Sequence, residues 1–254
     1  MSKIIAVTNQ KGGVGKTTTN VNLATCLAQA GKRVLVVDLD PQGNTTSGFG
    51  VDKFSLQQTV YNLLIGESYL EQVIIPVCVE GVRLLPANID LSGAEVELIA
   101  QQEREYKLKS IFSQSRYMFD YILIDCPPSL NLLTVNALCA ADSVLIPIQC
   151  EYYALEGLTQ LMRTIQLVQR KLNPRLTIEG VLFTMYDSRT NLSNQVVNEV
   201  KRHLGAHTYN TIIPRNIRLS EAPSHGLPIT LYSPDSKGAE AYRMLAQEII
   251  AKNK

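Results

Sequence analysis

The 254-residue sequence contains no C-x-x-C pair, and its five cysteines (Cys26, Cys78, Cys126, Cys139 and Cys150) are scattered and odd in number. That excludes a disulfide framework or a structural zinc site and points to reduced thiols. No apolar run approaches the ~20 residues needed to cross a bilayer. The opening MSKIIAVTN turns polar too soon for a signal peptide, so a cytoplasmic protein is expected. Charge of either sign is not in excess: 24 Lys and Arg stand against 23 Asp and Glu, a net charge of +1. Composition alone therefore announces neither a nucleic-acid binder nor an acidic tail. Repeats and low-complexity linkers are missing too, so residues 1–254 read as a single domain.

What the chain does have is alternation. Short runs rich in Val and Ile read as strands at 3–8, 33–38, 82–87, 121–126, 143–148, 178–184, 208–214 and 228–232. Helical patterns fall at about 16–30, 55–65, 92–115, 130–140, 153–172, 191–204 and 237–252. Continuous apolar strands are covered on both faces, as in parallel sheets. The expected fold is α/β: a doubly wound, mostly parallel sheet with helices on both faces.

The chemistry is concentrated at the end of the first strand, in TNQKGGVGKTTTN. A phosphate-binding P-loop reads G-x-x-x-x-G-K-[ST], and Gly15, Lys16 and Thr17 satisfy its end within the required strand–loop–helix context. The first glycine of the pattern is replaced by Gln10, and a second lysine, Lys11, follows it. Gly12, Gly13 and Gly15, with Val14 between them, let backbone N–H groups crowd around a β-phosphate at the positive end of a helix. Lys16 is expected to reach the β/γ-phosphates, Thr17 to present its hydroxyl to Mg²⁺, and Thr18 to bond the α-phosphate.

Carboxylates complete the pattern. YILID ends a hydrophobic strand in Asp125, where a Walker-B carboxylate holds a magnesium-bound water. RVLVVDLDPQGN ends another in Asp38 and Asp40, which lie on one side of an extended chain. Carboxyl ends of parallel strands are where α/β sheets bind ligands. The residue after Asp125 is Cys126, not a catalytic glutamate, so Asp40 is the best candidate to position an attacking water.

KGGVGKTT, VVDLDPQGN and ILIDCPPS together resemble the deviant Walker-A ATPases, and most closely the ParA/Soj partitioning ATPases. TNQKGGVGKTTTNVNLA, DLDPQGNTTSGFG, IIPRNIRLSEAPSHGLPI and SKGAEAY carry the resemblance almost end to end. It implies an ATP- and Mg²⁺-dependent switch that dimerises around two nucleotides, with Lys11 reaching the phosphates bound by the other subunit. It also implies base contacts at Pro214 and Asn216. Further implications are a ParB/Spo0J-type centromere-binding partner, non-specific double-stranded DNA binding through Arg189 and Arg218, and nucleoid association. Met185 and Tyr186 read as core residues in preference to ligand contacts.

Residues 187–218 carry Arg189, Lys201, Arg202, Arg215 and Arg218 against Asp187 and Glu199, a local basic excess. By itself such a run is more often a solvated helix face than a DNA surface. Two other classes compete. A MinD-like membrane ATPase needs a C-terminal amphipathic anchor, but KGAEAYRMLAQEIIAKNK has no Trp or Phe and reads as a helix docked through Tyr242, Leu245 and Ile249. An iron-protein-like electron-transfer ATPase needs two cysteines per subunit for a shared cluster, and neither Cys126 nor Cys150 lies in a recognisable cluster motif.

Overall fold

The computed structural model describes residues 2–115, 117–151 and 154–253. Its strands are β1 (Lys3–Val7), β2 (Val34–Asp38), β3 (Ile75–Pro76), β4 (Val82–Leu85), β5 (Tyr121–Asp125), β6 (Ser143–Gln149), β7 (Thr177–Tyr186) and β8 (Thr208–Pro214). The helices are α1 (Lys16–Gln29), α2 (Asn44–Gly48), α3 (Val60–Ile65), α4 (Leu70–Val73), α5 (Leu91–Leu98) and α6 (Lys107–Ser115). After these come α7 (Leu132–Ala140), α8 (Ala154–Lys171), α9 (Asn191–Leu204), α10 (Ile217–Glu221), α11 (Ile229–Tyr232) and α12 (Lys237–Lys252). The strands form one sheet in the order β3-β4-β2-β5-β1-β6-β7-β8, parallel except for the β3–β4 edge pair. This is the expected α/β architecture, and it agrees with the expected sheet in all but a few elements.

Strand alternation sends successive side chains to opposite faces. Ile4 and Ala6 of β1 join Leu35 and Val37 of β2 in one core, beneath α3, α5, α6, α7, α8 and α9. Ile5 and Val7 join Val34 and Val36 in the other, beneath α1 and α12. α1 is buried almost all round, so its polar residues find partners inside the protein. Asn22 accepts the Ile229 N–H at 2.6 Å and donates to the Thr18 carbonyl, and the Thr19 hydroxyl lies 3.2 Å from the Tyr242 hydroxyl. From β1 the chain runs to β2 on the β5 side, whereas from the neighbouring β5 it runs the other way, to β6. The loop after β1 therefore sits at a topological switch point, where α/β sheets open a crevice.

Three expectations need correction. Residues 228–232 are not a strand: Ile229–Tyr232 form a helical turn whose first N–H is taken by Asn22. The neighbouring sheet edge is also occupied, because the Glu248 carboxylate accepts the N–H groups of Asn210 and Thr211 at 2.9 and 3.1 Å. The helix expected over 92–115 is broken into α5, a 3₁₀ turn at Arg104–Tyr106, and α6. The buried Asn136 amide causes the break, accepting from the Leu108 N–H and donating to the Arg104 carbonyl. Of the helix expected at about 55–65 only Val60–Ile65 forms, and β3, α2, α4 and α10 were not anticipated, being too short to show a period.

Gly226 (φ +63°) and Gly50 (φ +78°) meet backbone to backbone, and a β-carbon at Gly226 would stand 2.5 Å from the Gly50 Cα. Gly31 (φ +80°) is equally left-handed but has open space around it. Gly31→Ala is expected to cost roughly 1–2 kcal/mol, the backbone penalty alone. Gly226→Ala should lower the urea midpoint clearly further, because the two backbones must separate as well.

Candidate phosphate-binding site

The loop between β1 and α1 is pinned from three sides. Asn9 donates to the Pro147 carbonyl at 2.7 Å and accepts the Lys11 N–H at 3.0 Å. The Thr184 hydroxyl lies 2.9 Å from the Val14 carbonyl and 3.0 Å from the Ile148 carbonyl, tying the loop to β6 and β7. Gly13 (φ +74°) and Gly15 (φ +86°) supply the left-handed turns. Gly15 caps α1 without a side chain, so the first-turn N–H groups have no side-chain cap and can serve an anion. Lys16 is 7% exposed, its Nζ donating to the Lys11 carbonyl at 3.2 Å. Burial lowers its pKa, against the pull of Asp125 and Asp40.

Asp38 and Asp125 are register partners on the adjacent strands β2 and β5, and both are buried. The Asp125 carboxylate accepts from the hydroxyls of Thr17 and Thr45, each at 2.7 Å, and from the Asn20 amide at 3.0 Å. Asp38 accepts from the Thr46 N–H at 2.8 Å and the Thr46 hydroxyl at 2.7 Å. Burial pushes Asp38 up to about 7, with the Asp125 charge adding to it. Burial likewise raises Asp125 to about 6, opposed by the Thr17 and Thr45 hydrogen bonds. Asp40 is half-buried at the cleft wall, its Oδ1 accepting the Gln42 N–H at 2.9 Å.

Two crowded carboxylates beside a threonine hydroxyl fit a divalent cation. Among the described residues no group of three or more His, Cys, Asp or Glu could hold a metal unaided. Magnesium here would therefore take its remaining ligands from phosphate oxygens and water.

A cleft of about 610 Å³ opens over this constellation, lined by Gly13, Lys16, Thr17, Asp40, Asn44 and Pro128 among others. A second, of about 480 Å³, is lined by Ile213, Pro214, Asn216, Ile217 and Tyr242. Gly15, Thr18, Met185 and Pro223 line both. One chamber thus carries the glycine loop with Lys16, Thr17 and Asp40, and its neighbour sets Ile213, Ile217 and Tyr242 beside the Asn216 side chain, an arrangement that suits a nucleotide's phosphates and base. The Asn216 Oδ1 is taken by the Arg218 N–H at 2.8 Å, capping α10, which leaves its amide nitrogen for a base. Another cleft of about 610 Å³ lies at the amino ends of β2 and β4, around Arg33, Glu80 and Phe119, with no comparable constellation.

Lys11 lies outside this interior. Its Nζ is 2.6 Å from Glu151, with both side chains partly exposed, and nothing comes within 4 Å of a β-carbon built on Gly12. Arg189 pairs with Asp187 at 2.7 Å and Arg218 with Glu221 at 2.8 Å, both just beyond the carboxyl ends of β7 and β8. Lys201 and Arg202, in contrast, occupy the last turn of α9, about 15 Å along that helix from its start. The basic run is therefore split in space. Tyr186 packs against the core as expected, but Met185 does not: it is 37% exposed and lines both clefts. Cys126 is fully buried and its thiol is pushed well up by burial, so it cannot reach a second subunit to share a cluster. Tyr242, Leu245 and Ile249 are buried in the core, so α12 is docked, and no helix among the described residues is long and apolar enough to cross a membrane.

Sequence reasoning missed Asn9, Asn20, Thr45, Thr46, Glu151 and Thr184. Thr45 and Thr46 lie within DLDPQGNTTSGFG, and their spacing from Asp38 was the one available signal. The Thr46 hydroxyl also accepts the Ala87 N–H at 3.0 Å. Thr46→Val should cost about 1–3 kcal/mol by urea unfolding, since a buried N–H and a buried carboxylate each lose a partner.

A family model described as "AAA domain" matches residues 2–178. The sporulation initiation inhibitor protein Soj of Bacillus subtilis is 59% identical over 251 residues, covering 99% of both chains. The chromosome-partitioning ATPase Soj of Treponema pallidum is 52% identical, covering 100% of this chain and 99% of its own. A solved structure of cobyrinic acid a,c-diamide synthase from Mycobacterium smegmatis, with bound ATP analogue and magnesium, superposes with a TM-score of 0.84. It is 41% identical, covering 98% of this chain and 95% of its own.

Proposed function

The chain belongs to the ParA/Soj family of chromosome-partitioning ATPases, and from that premise we propose a DNA-bound switch that dimerises around ATP. ATP is the substrate and Mg²⁺ the cofactor. Thr17 through its hydroxyl, with Asp38 and Asp125 through water, would hold magnesium, which would supply charge neutralisation at the β/γ-phosphates. Lys16 sets its ammonium against the same phosphates in a site where burial strengthens the attraction. Thr18 and the N–H groups of Gly13, Val14 and Gly15 orient the chain of phosphates. Asp40 holds the attacking water, and Pro214 and Asn216 hold the base.

The observation that carries the dimer is the position of Lys11. A lysine inside the cleft would serve its own nucleotide, but this one is partly exposed and paired with Glu151, next to Gly12, whose surroundings are open. Facing a second copy, it neutralises the partner's phosphates and makes ATP part of the interface. Dimerisation doubles the arginines presented to DNA, so ATP controls affinity through valency. Hydrolysis, stimulated by a ParB/Spo0J-type partner, returns monomers. The cytoplasmic protein would then cycle on and off the nucleoid.

Gly12→Val should bind ATP as a monomer, because a β-branched side chain has room within one subunit but holds two loops apart. Light scattering with ATP checks this, and normal dimers would exclude Gly12 from the interface.

Arg189→Glu combined with Arg218→Glu should leave nucleotide binding and dimerisation intact. The variant dimer neutralises four fewer DNA phosphates, so the slope of log K against log salt flattens by about 3 to 4 units. Filter binding with ATP, ADP and no nucleotide across a salt series is the measurement. Undiminished DNA affinity in intact dimers would refute this surface, and liposome flotation would then test the membrane-associated reading.

A further inference from the structure

Helix α5 is apolar on the side it buries and again on the side it shows. Leu91, Ala94 and Leu98 face the core beneath it. Across the helix Val96 is 71% exposed, and Ile89, in the turn that leads in, and Ile99, at the C-cap, are 61% and 62% exposed. Ile89, Val96 and Ile99 stand at i, i+7 and i+10, a helical spacing that sets them in one stripe. A surface helix ordinarily turns a polar side to water, and a helix that is apolar all round is covered on both sides. Scattered single apolar residues need no explanation, but several in line, with a polar rim, mark an interaction surface.

The rim of this stripe is acidic. Asp90 adjoins Ile89, and Glu95 and Glu97 flank Val96 in sequence, which sets them about 100° to either side of it around the helix. The Glu97 carboxylate accepts the Tyr61 hydroxyl at 2.7 Å, seating α5 on α3. From Leu84 to Tyr106 there is one basic residue, Arg104, and its guanidinium is engaged by Glu105 at 3.1 Å and the Ile99 carbonyl at 2.9 Å. Residues 60–105 hold eight Asp and Glu against two Arg and no Lys, although the whole chain is close to neutral.

These charges choose among occupants. DNA and an anionic membrane are repelled. A second copy in two-fold contact would set the same carboxylates against one another. What fits is the opposite sign on the same spacing. We propose that the exposed face of α5 is a docking surface for a basic amphipathic helix of a partner protein, whose apolar residues cover Ile89, Val96 and Ile99 while its Lys and Arg meet Asp90, Glu95 and Glu97. None of these six residues lines either chamber of the nucleotide cleft, so the inference stands independently of the function proposed above.

The probe is a fluorescein-labelled peptide of Leu and Lys with Leu at helical spacing, about 18 residues long so that a helix can form. Fluorescence anisotropy reads its binding. One comparison peptide carries Glu in place of Lys, and another has the same composition in shuffled order. Wild type should bind the Leu/Lys helix and neither comparison. Val96→Ser combined with Ile99→Ser should weaken binding roughly tenfold or more, as central apolar anchors do. Asp90→Asn combined with Glu97→Gln keeps acceptors for the Asn88 amide and the Tyr61 hydroxyl. It should flatten the salt dependence and weaken binding roughly fivefold at low salt. Met244→Ser, at an exposed apolar residue of α12, should bind like wild type. All three variants should match wild type in urea unfolding, because the altered side chains lie at the surface. No binding by wild type, equal binding of either comparison peptide, or undiminished affinity in the Val96/Ile99 variant would overturn the proposal, as would an equal loss in Met244→Ser. Light scattering with and without ATP should give the Val96/Ile99 variant the oligomeric state of wild type. A shift would assign the face to a second copy and overturn the proposal as well.

Discussion

The Asp125 carboxylate is the group on which the architecture of the cleft depends. It takes hydrogen bonds from Thr17 and Asn20 of α1 and from Thr45 of α2, so one buried charge fixes two helices to the end of β5. Beside it, Asp38 binds Thr46 through both backbone and side chain, and the Thr46 hydroxyl reaches Ala87 beyond β4. The ends of β2, β4 and β5 are thus tied to α1 and α2 through two neighbouring carboxylates. Charges buried this way are tolerated only when paired and hydrogen-bonded. Both carboxylates nonetheless titrate well above their ordinary range, a standing electrostatic demand for a cation.

The same arrangement explains why the lysines divide their labour. Lys16 is drawn into the interior by Asp125 and Asp40 and is held by the Lys11 carbonyl, so it faces its own cleft. Lys11 contributes that carbonyl while its ammonium turns outward to Glu151. The main chain of one lysine positions the side chain of the other. An exposed ion pair of this kind is worth little and is easily exchanged. Lys11 can therefore leave Glu151 for a stronger anion, such as a phosphate, with little loss of stability.

Hydrogen bonds from side chain to main chain hold the surrounding loops. Asn9, Asn22, Asn136 and Thr184 are each buried, and each satisfies backbone groups far away in sequence. Such residues are polar positions inside apolar packing, so they specify one arrangement where hydrophobic contact alone would tolerate several. The left-handed backbone at Met185 (φ +50°) has the same origin, since the hydrogen bonds of the Thr184 hydroxyl and the Tyr186 carbonyl on either side over-determine it.

The sequence by itself determined the parallel sheet, because strands buried on both faces must be continuous apolar runs, and seven of the eight expected strands form. It also determined the glycine-rich loop after β1, whose glycines, lysine and threonine are contiguous in the chain. Asp38 and Asp125 were legible because they end such strands, and the sheet register sets them side by side. Tertiary structure decided the rest. Residues 228–232 have strand-like composition, yet Glu248 occupies the sheet edge and Asn22 claims the first N–H, so a helical turn forms. The helix expected at 92–115 was broken by Asn136, a residue beyond its end. Thr46 and Glu151 take their places from partners 8 and 140 residues away, and Met185 from tethers on either side of it. Periodicity reports which face of an element is buried, and motifs report contiguous backbone chemistry. Neither carries the long-range hydrogen bonds and left-handed turns that exist only once separate strands have been brought together.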